Sequence, residues 1–320
     1  MEQNDFKLSR RGFIASAGLL TGALVKLPSW AYALEKREGP VTMIIAEAAK
    51  SPITVQKLRG GLTMLRGSGG NVILLAGKKG NLMVDAGINV SEKKMKAAIA
   101  GINPAPIKKL INTHWHFDHA SGNEWVHQAG AQIIAHENTK KRLSQKITVE
   151  DWQYTFPPSP AGALPEVIFK QSHHVVFEGT GIHLDYYAPA HTDCDISVFF
   201  ADADVLHVGD TLWNGYYPFI DYNTGGSISG MIQAAEDNVV RTTDKTIVIC
   251  GHGQVANRAQ LIAYRDMLVT VEGAVRELKT QGLGIEEIVS RKPTKAFDAK
   301  WGNFVIGPDL FTRLVYKGIV

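Results

Sequence analysis

Apolar and polar positions along this chain group into short runs of two kinds. Leu62 to Leu65, Asn71 to Ala76 and Asn81 to Val84 are dense in apolar residues and bounded by glycine or polar clusters, which predicts short strands. Gly77-Lys78-Lys79-Gly80 reads as the hairpin turn between the last two. From Ser91 the period changes: Met95, Ala98 and Ile99 form a helical stripe, started by a capping-box-like Ser91-Glu92-Lys93-Lys94 that lacks the usual acid at the third position. Ile107 to Asn112 returns as a strand, followed by a helix at Glu124 to Ala129, a strand at Gln132 to Ala135 and a helical segment at Glu137 to Leu143. The second half follows the same plan more loosely. Strands are predicted at Val175 to Phe177, Ile182 to Ala188, Ser197 to Ala201, Val205 to Val208 and Thr246 to Cys250, with helices at Ser229 to Val239 and Arg258 to Thr280. The stretch from Lys292 to Val320 reads as a last loop and helix. Strand-rich blocks alternating with helices predict an α/β protein in which two packed sheets are flanked by helices, a four-layer αββα sandwich.

The chemistry is concentrated where the Ile107 to Asn112 strand runs out. Residues 112 to 123 read Asn-Thr-His-Trp-His-Phe-Asp-His-Ala-Ser-Gly-Asn, with three imidazoles and a carboxylate in six positions. In an extended segment residues two apart project to the same side, so His114 and His116 can grip one ion together. Asp118 and His119 lie beyond the bend and can face a second. Tetrahedral zinc takes three or four ligands, so further ligands must come from elsewhere. His191 in Pro-Ala-His-Thr-Asp-Cys-Asp, Asp210 in Leu-His-Val-Gly-Asp-Thr and His252 in Val-Ile-Cys-Gly-His-Gly are the candidates, each at or just past an apolar strand-like stretch. That is where α/β proteins place chemistry.

This His-x-His-x-Asp-His run, followed by a lone His, a Gly-Asp and a Gly-His, resembles the metallo-β-lactamase superfamily of binuclear metallohydrolases. The resemblance covers the chain from about Gln56 to about Ala274 and includes Val84-Asp85-Ala86-Gly87, which is similar to the superfamily's Asp turn behind the metal site. It implies an αββα fold of two mixed sheets, with one metal on His114, His116 and His191, the other on Asp118, His119 and His252, and Asp210 bridging. It implies two Zn2+ per chain and hydrolysis by a metal-bridging hydroxide of an ester, lactone, thioester or β-lactam. Asp118 would orient that hydroxide, and Asp85 would fix the tautomer of a ligand histidine. Asp210 stands where many zinc β-lactamases have a cysteine, which is closer to the glyoxalase II and lactonase branch. Trp213 follows where acyl-homoserine lactonases resemble one another in a Tyr, and no glutathione-binding C-terminal domain is recognisable. The alternative within the same superfamily is an iron-dependent persulfide dioxygenase.

The N-terminus carries a second pattern. Ser9-Arg10-Arg11-Gly12-Phe13-Ile14, an uncharged apolar stretch from Ala15 to Val25 and Ala31-Tyr32-Ala33 have the layout of a cleavable export signal. Its paired arginines mark the twin-arginine route. The stretch falls short of the ~20 apolar residues that span a bilayer. Residues 1–33 are therefore read as a cleaved signal recognised by the twin-arginine export machinery, 34–55 as a lead-in, and 56–320 as the catalytic domain with a C-terminal helical extension. This places the protein in the periplasm or otherwise outside the cytoplasm, with no stable membrane insertion after cleavage. Cleavage removes four cations and two carboxylates, taking the formal charge from +3 to +1. A nearly neutral chain without a recognisable nucleic-acid module points to a small-molecule substrate and to no nucleic-acid partner.

Cys194 and Cys250 are the two cysteines, so no disulfide framework builds the fold. They are read as inert buried thiols, as a bridge between site loops or as soft metal ligands. Two aromatic loops, residues 150–160 and 213–222, are placed as walls of the cleft, with Trp213, Asn214, Tyr216 and Tyr217 as candidate substrate contacts. His207 reads as a packed residue, and His173-His174 as a solvated strand edge.

Overall fold

The computed structural model describes residues 39–320. The export signal expected at residues 1–33 lies outside the described residues. The chain enters through helix α1 (Pro40–Lys50), which starts on a proline at its first turn. Strands β1 (Thr54–Lys57), β2 (Leu62–Arg66), β3 (Val72–Ala76) and β4 (Asn81–Val84) then form an antiparallel run. Strand β1 straddles the division expected between residues 55 and 56, so the lead-in supplies an edge of the sheet. Helix α2 (Glu92–Ile102) crosses over to β5 (Ile107–Ile111). The short helices α3 (Phe117–Ala120) and α4 (Asn123–Gln128) lead to β6 (Gln132–His136), α5 (Glu137–Leu143), the hairpin β7 (Ile147–Val149) and β8 (Tyr154–Phe156), and β9 (Val167–Phe169). The first sheet has the order β1-β2-β3-β4-β5-β6-β9, parallel from β4 onward.

The second sheet contains β10 (Ser172–Phe177), β11 (Thr180–Tyr186), β12 (Ile196–Phe200), β13 (Val205–His207) and, parallel to β13, β15 (Ile247–Ile249). Between β13 and β15 run β14 (Trp213–Asn214) and helix α6 (Ile228–Arg241). After β15 come β16 (His252–Gly253), paired with β14, and helices α7 (Arg258–Thr280), α8 (Ile285–Arg291), α9 (Asp298–Trp301) and α10 (Pro308–Gly318). Among the described residues no helix is long and apolar enough to cross a membrane.

Alternation along the strands explains the layers. In β2 and β3, Leu62, Met64, Ile73 and Leu75 face the second sheet and meet Val175, Phe177, Ile182, Leu184 and Val198. Their alternates Leu65, Val72 and Leu74 pack against Met95 and Ile99 of α2 and Trp125 and Val126 of α4. On the other side Leu206 and Val208 meet Met231 and Ala235 of α6 and Leu261 and Leu268 of α7. The molecule is a four-layer αββα sandwich of two mixed sheets. Helix α7 opens with a capping box, Asn257 accepting from Gln260 N and Gln260 from Asn257 N. Ser91 does not cap α2: its hydroxyl donates to Ala48 O at the end of α1, because Asn89–Ser91 forms a preceding 3-10 turn and Ser91 itself is buried. From Lys292 onward the chain holds two helices, α9 and α10, where one was expected, and α8 packs with them. Their apolar faces, among them Ile288, Trp301, Phe311 and Leu314, complete the core on α7.

Candidate metal centre

All seven candidate ligands converge at one rim of the sandwich. His114 and His116 follow β5, Asp118 and His119 lie in α3, His191 precedes β12, Asp210 follows β13 and His252 opens β16. They form two groups, His114, His116, His191 and Asp210, and Asp118, His119 and His252, within each of which one ligating atom per residue lies within 4.8 Å of the others. Asp210 faces both. Its Oδ1 is 3.1 Å from His119 Nε2, and its Oδ2 is 3.3 Å from His252 Nε2, 3.4 Å from His191 Nε2 and 4.0 Å from His114 Nε2.

The chain bends tightly to bring these groups together. A Cβ on Gly251 would collide with Asp210 Oδ1, and one on Gly70 with the His119 ring, so both backbones can pass only without side chains. Asp85 adopts a left-handed φ of 61° in the turn after β4. That turn aims its carboxylate at the loop after β5, where it accepts from Thr113 N and Thr113 Oγ1, each at 2.8 Å.

The outward nitrogens of four histidines have partners. His119 Nδ1 donates to Asp85 Oδ2 at 2.8 Å, His116 Nε2 to Asp221 Oδ2 at 3.0 Å and His191 Nδ1 to Phe219 O at 2.8 Å. Thr113 Oγ1 spends its proton on Asp85, so it accepts from His114 Nδ1 at 3.0 Å. These partners assign the tautomers and turn the remaining lone pairs inward. His116 Nδ1 and His191 Nε2 then stand 2.8 Å apart. Two lone pairs at that distance require a cation, a proton or a metal ion. The buried His114 Nε2, His119 Nε2 and Asp210 Oδ1 make no hydrogen bond. Orphaned, convergent N and O atoms of this kind fit a metal ion.

Electrostatics point the same way. Burial would raise the carboxyl of Asp210, but the surrounding His252, His119, His191 and His114 hold it well below the usual carboxylate range. Burial would lower His252, yet Asp210 and Asp118 push it up to about 9. His119 is likewise raised well above an ordinary imidazole by Asp210, Asp118 and Asp85, against the opposing effect of burial. His114 moves the other way, lowered by burial and by the neighbouring His119. Without a metal, protons supply the positive charge that the carboxylates demand.

The model of the metallo-β-lactamase superfamily matches residues 65–252. The chain belongs to that superfamily. A hydroxyacylglutathione hydrolase from Polaromonas sp. is 27% identical over 172 residues, 53% of this chain and 57% of that relative, so this chain spans little more than half its length. A probable metallo-hydrolase, YqgX of Bacillus subtilis, is 26% identical over 163 residues, covering 48% of this chain and 70% of the relative. The metallo-β-lactamase from Pontibacter korlensis shares the fold, with a TM-score of 0.54 at 17% identity over 68% of this chain and 98% of that one.

Within this superfamily member the aromatic loops divide. Trp213 is buried, donates its indole N–H to Asp210 Oδ2 at 3.0 Å and lies 4.4 Å from the His252 ring, so it braces the site. Asn214 donates to Gln254 O and Tyr216 stays half-buried at the rim. Tyr217 is not a substrate contact. It is fully buried, stacked 4.5 Å from Phe311 and hydrogen-bonded to Thr294 O and Asp298 Oδ1, because the loop turns it toward the C-terminal helices. In the other loop, which forms the β7–β8 hairpin, Trp152 stacks on Phe219 at 4.5 Å and lies 5.0 Å from the His116 ring.

Asp221 escaped the reading of the sequence as a site residue. It stands eleven residues past Asp210 in an aromatic stretch with no histidine beside it, and only its Asx-type contacts to Asn223 N and Thr224 N hint at a fixed carboxylate. Both cysteines are buried free thiols and neither belongs to the two groups. His207 is buried, accepting from Gly209 N, and burial lowers it to about 4.

Proposed function

We propose that this chain is a binuclear zinc hydrolase that cleaves a carbonyl bond of a small molecule, as an ester, thioester, lactone or β-lactam, after export through the twin-arginine route. The observation that carries the reading is the convergence of seven ligating side chains in two adjoining groups that share Asp210. His114, His116 and His191 would hold one ion, and Asp118, His119 and His252 the other, with Asp210 facing both. Two zinc ions supply a Lewis acid for the carbonyl and a water acidic enough to lose its proton near neutral pH.

The chain's own residues prepare the rest. Asp85 and Asp221 keep His119 and His116 in the tautomers that present a lone pair inward. Asp118 sits at the edge where the site meets solvent, its side chain 8% exposed, and there accepts a hydrogen bond from the attacking water and orients it. The buried wall of Trp152 and Phe219 beside His116 excludes bulk water from the opposite side. The hydrolase named among the relatives supports hydrolysis as the reaction class. Export is supported by Arg10-Arg11 ahead of the Ala15 to Val25 stretch.

Metal analysis of the protein purified without added metal, together with a panel of nitrocefin, lactones and thioesters, tests this reading. About two zinc ions per chain with turnover of a panel member is the expected result. About one iron per chain without hydrolysis would overturn it in favour of oxygen-dependent sulfur chemistry.

A further inference from the structure

The members of the two metal-facing groups are unequally buried. The side chains of His114, His116, His119, His191 and Asp210 are at most 2% exposed, while Asp118 and His252 reach 8% and 11%. A substrate therefore meets the site at the His252 edge, and the residues around that edge come from an unexpected place. Phe304, in the turn between α9 and α10 and far beyond the residues the family model matches, lies 6.3 Å from the His252 ring, 6.0 Å from Trp213 and 4.6 Å from Tyr216.

The position of Phe304 is built, not incidental. Tyr217 N donates to Trp301 O at 2.8 Å, Tyr217 Oη donates to Asp298 Oδ1 and Thr294 O, and the Tyr217 ring stacks on Phe311. This seam locks the loop after β14 onto the C-terminal segment, and Trp301 is anchored in turn beside Tyr264. Phe304 and Tyr216 themselves remain half-buried.

We infer that the C-terminal segment completes the substrate cleft, with Phe304 and Tyr216 forming an apolar lip at the His252 edge that selects substrates carrying an apolar or aromatic group beside the scissile carbonyl. An aromatic lip stabilises an apolar arm by burial and ring contact. The inference rests on the metal-centred hydrolase reading and adds to it the substrate class.

Calorimetric binding of 2-phenylethanethiol and ethanethiol to the zinc-loaded protein tests it, because the thiol anchors both probes at the metals and only the arm differs. The wild type is expected to prefer the phenyl arm by about tenfold or more. That ratio falls below about threefold in Phe304→Ala, falls in part in Tyr216→Ala and is restored in Phe304→Leu. Equal affinities in the wild type, or a ratio unchanged in Phe304→Ala, would overturn the lip. A lowered ratio in Phe304→Ala alongside a complete lack of ester and thioester turnover would keep the lip and remove the hydrolase reading.

Discussion

The two metal-facing groups differ in how they are held. In the enclosed group, His114, His116 and His191 are at most 1% exposed, and each outward nitrogen has its own partner in Thr113, Asp221 or Phe219 O. In the open group only His119 is braced by a carboxylate, Asp85, while Asp118 and His252 reach solvent. Histidines whose tautomer and ring angle are fixed lose little freedom on binding an ion. On the proposed binuclear reading, the enclosed group would retain its ion, and the open one would exchange its ion and meet substrate.

Removing the member that both groups share breaks the comparison altogether. Asp210→Ala is expected to lower turnover by more than about a hundredfold, beyond what loss of an outer partner costs, with far-ultraviolet circular dichroism unchanged. Full activity in the purified variant would show that Asp210 does not serve both groups. Asp118→Ala sharpens the contrast instead. It leaves the enclosed group whole, so metal analysis should find about one ion per chain where the parent holds about two. Loss of both ions would mean that the enclosed group cannot stand alone.

Substitution of the bracing carboxylates separates the two halves more finely. Asp221→Asn should weaken the last ion lost to a competing chelator, and Asp85→Asn the first, each by roughly 10–100-fold in metal affinity. If both variants lose the same ion, the bracing is not local.

Both halves were legible in the sequence, and the reason is physical. Asp118 and His119 sit with His114 and His116 in one bend, and ligand-type residues packed that densely at a strand end mark a metal site by their spacing alone. Dense apolar runs bounded by turn residues likewise marked the inner strands β2 to β4, whose two faces meet different cores. The features that were missed depend on contacts distant along the chain. Strands β1 and β9 are edges, the first exposed throughout and the second burying only Phe169, so they lack an apolar signature. Tyr217 and Asp221 share one aromatic loop with Tyr216, and nothing local says which ring turns toward α10 and which carboxylate reaches His116. Composition marks such a loop as functional, and only packing divides its labour.

Protonation gives a milder test of the same contrast. With metal removed, His252 is raised to about 9 from an unfolded value near 6.5 by Asp210 and Asp118, despite burial. Its contribution to stability is therefore full below about pH 6.5 and is lost as pH rises through about 9. Asp118 and Asp210 are lowered, so their contribution is present above the ordinary carboxylate range and lost as pH falls through their folded values. The melting temperature of the metal-free protein should peak between about pH 5 and 6.5 and decline toward pH 9. Zinc should abolish that alkaline decline, since the ion takes the place of the protons. A metal-free protein equally stable at both ends of this range would show that the open group is not held by His–Asp charge pairing.

The smallest effect belongs to the cysteines, although both lie next to candidate ligands in the sequence. Cys250 precedes Gly251 and His252, yet its thiol turns inward, donates to Gln254 O at 3.2 Å and is pushed up to about 12 chiefly by burial. Cys194 is buried beside Thr192 and is raised further still, by burial and by Asp195. A thiol that is neither exposed nor ionised at neutral pH is a poor nucleophile and a poor soft ligand. Native protein treated with iodoacetamide should keep both thiols unmodified by mass spectrometry, and Cys194→Ala should change turnover by less than about twofold while lowering stability by about 1 kcal/mol through the lost packing. Rapid alkylation of Cys250 with release of an ion would instead place that thiol among the ligands, and the enclosed and open groups would then have to be redrawn around a second shared member.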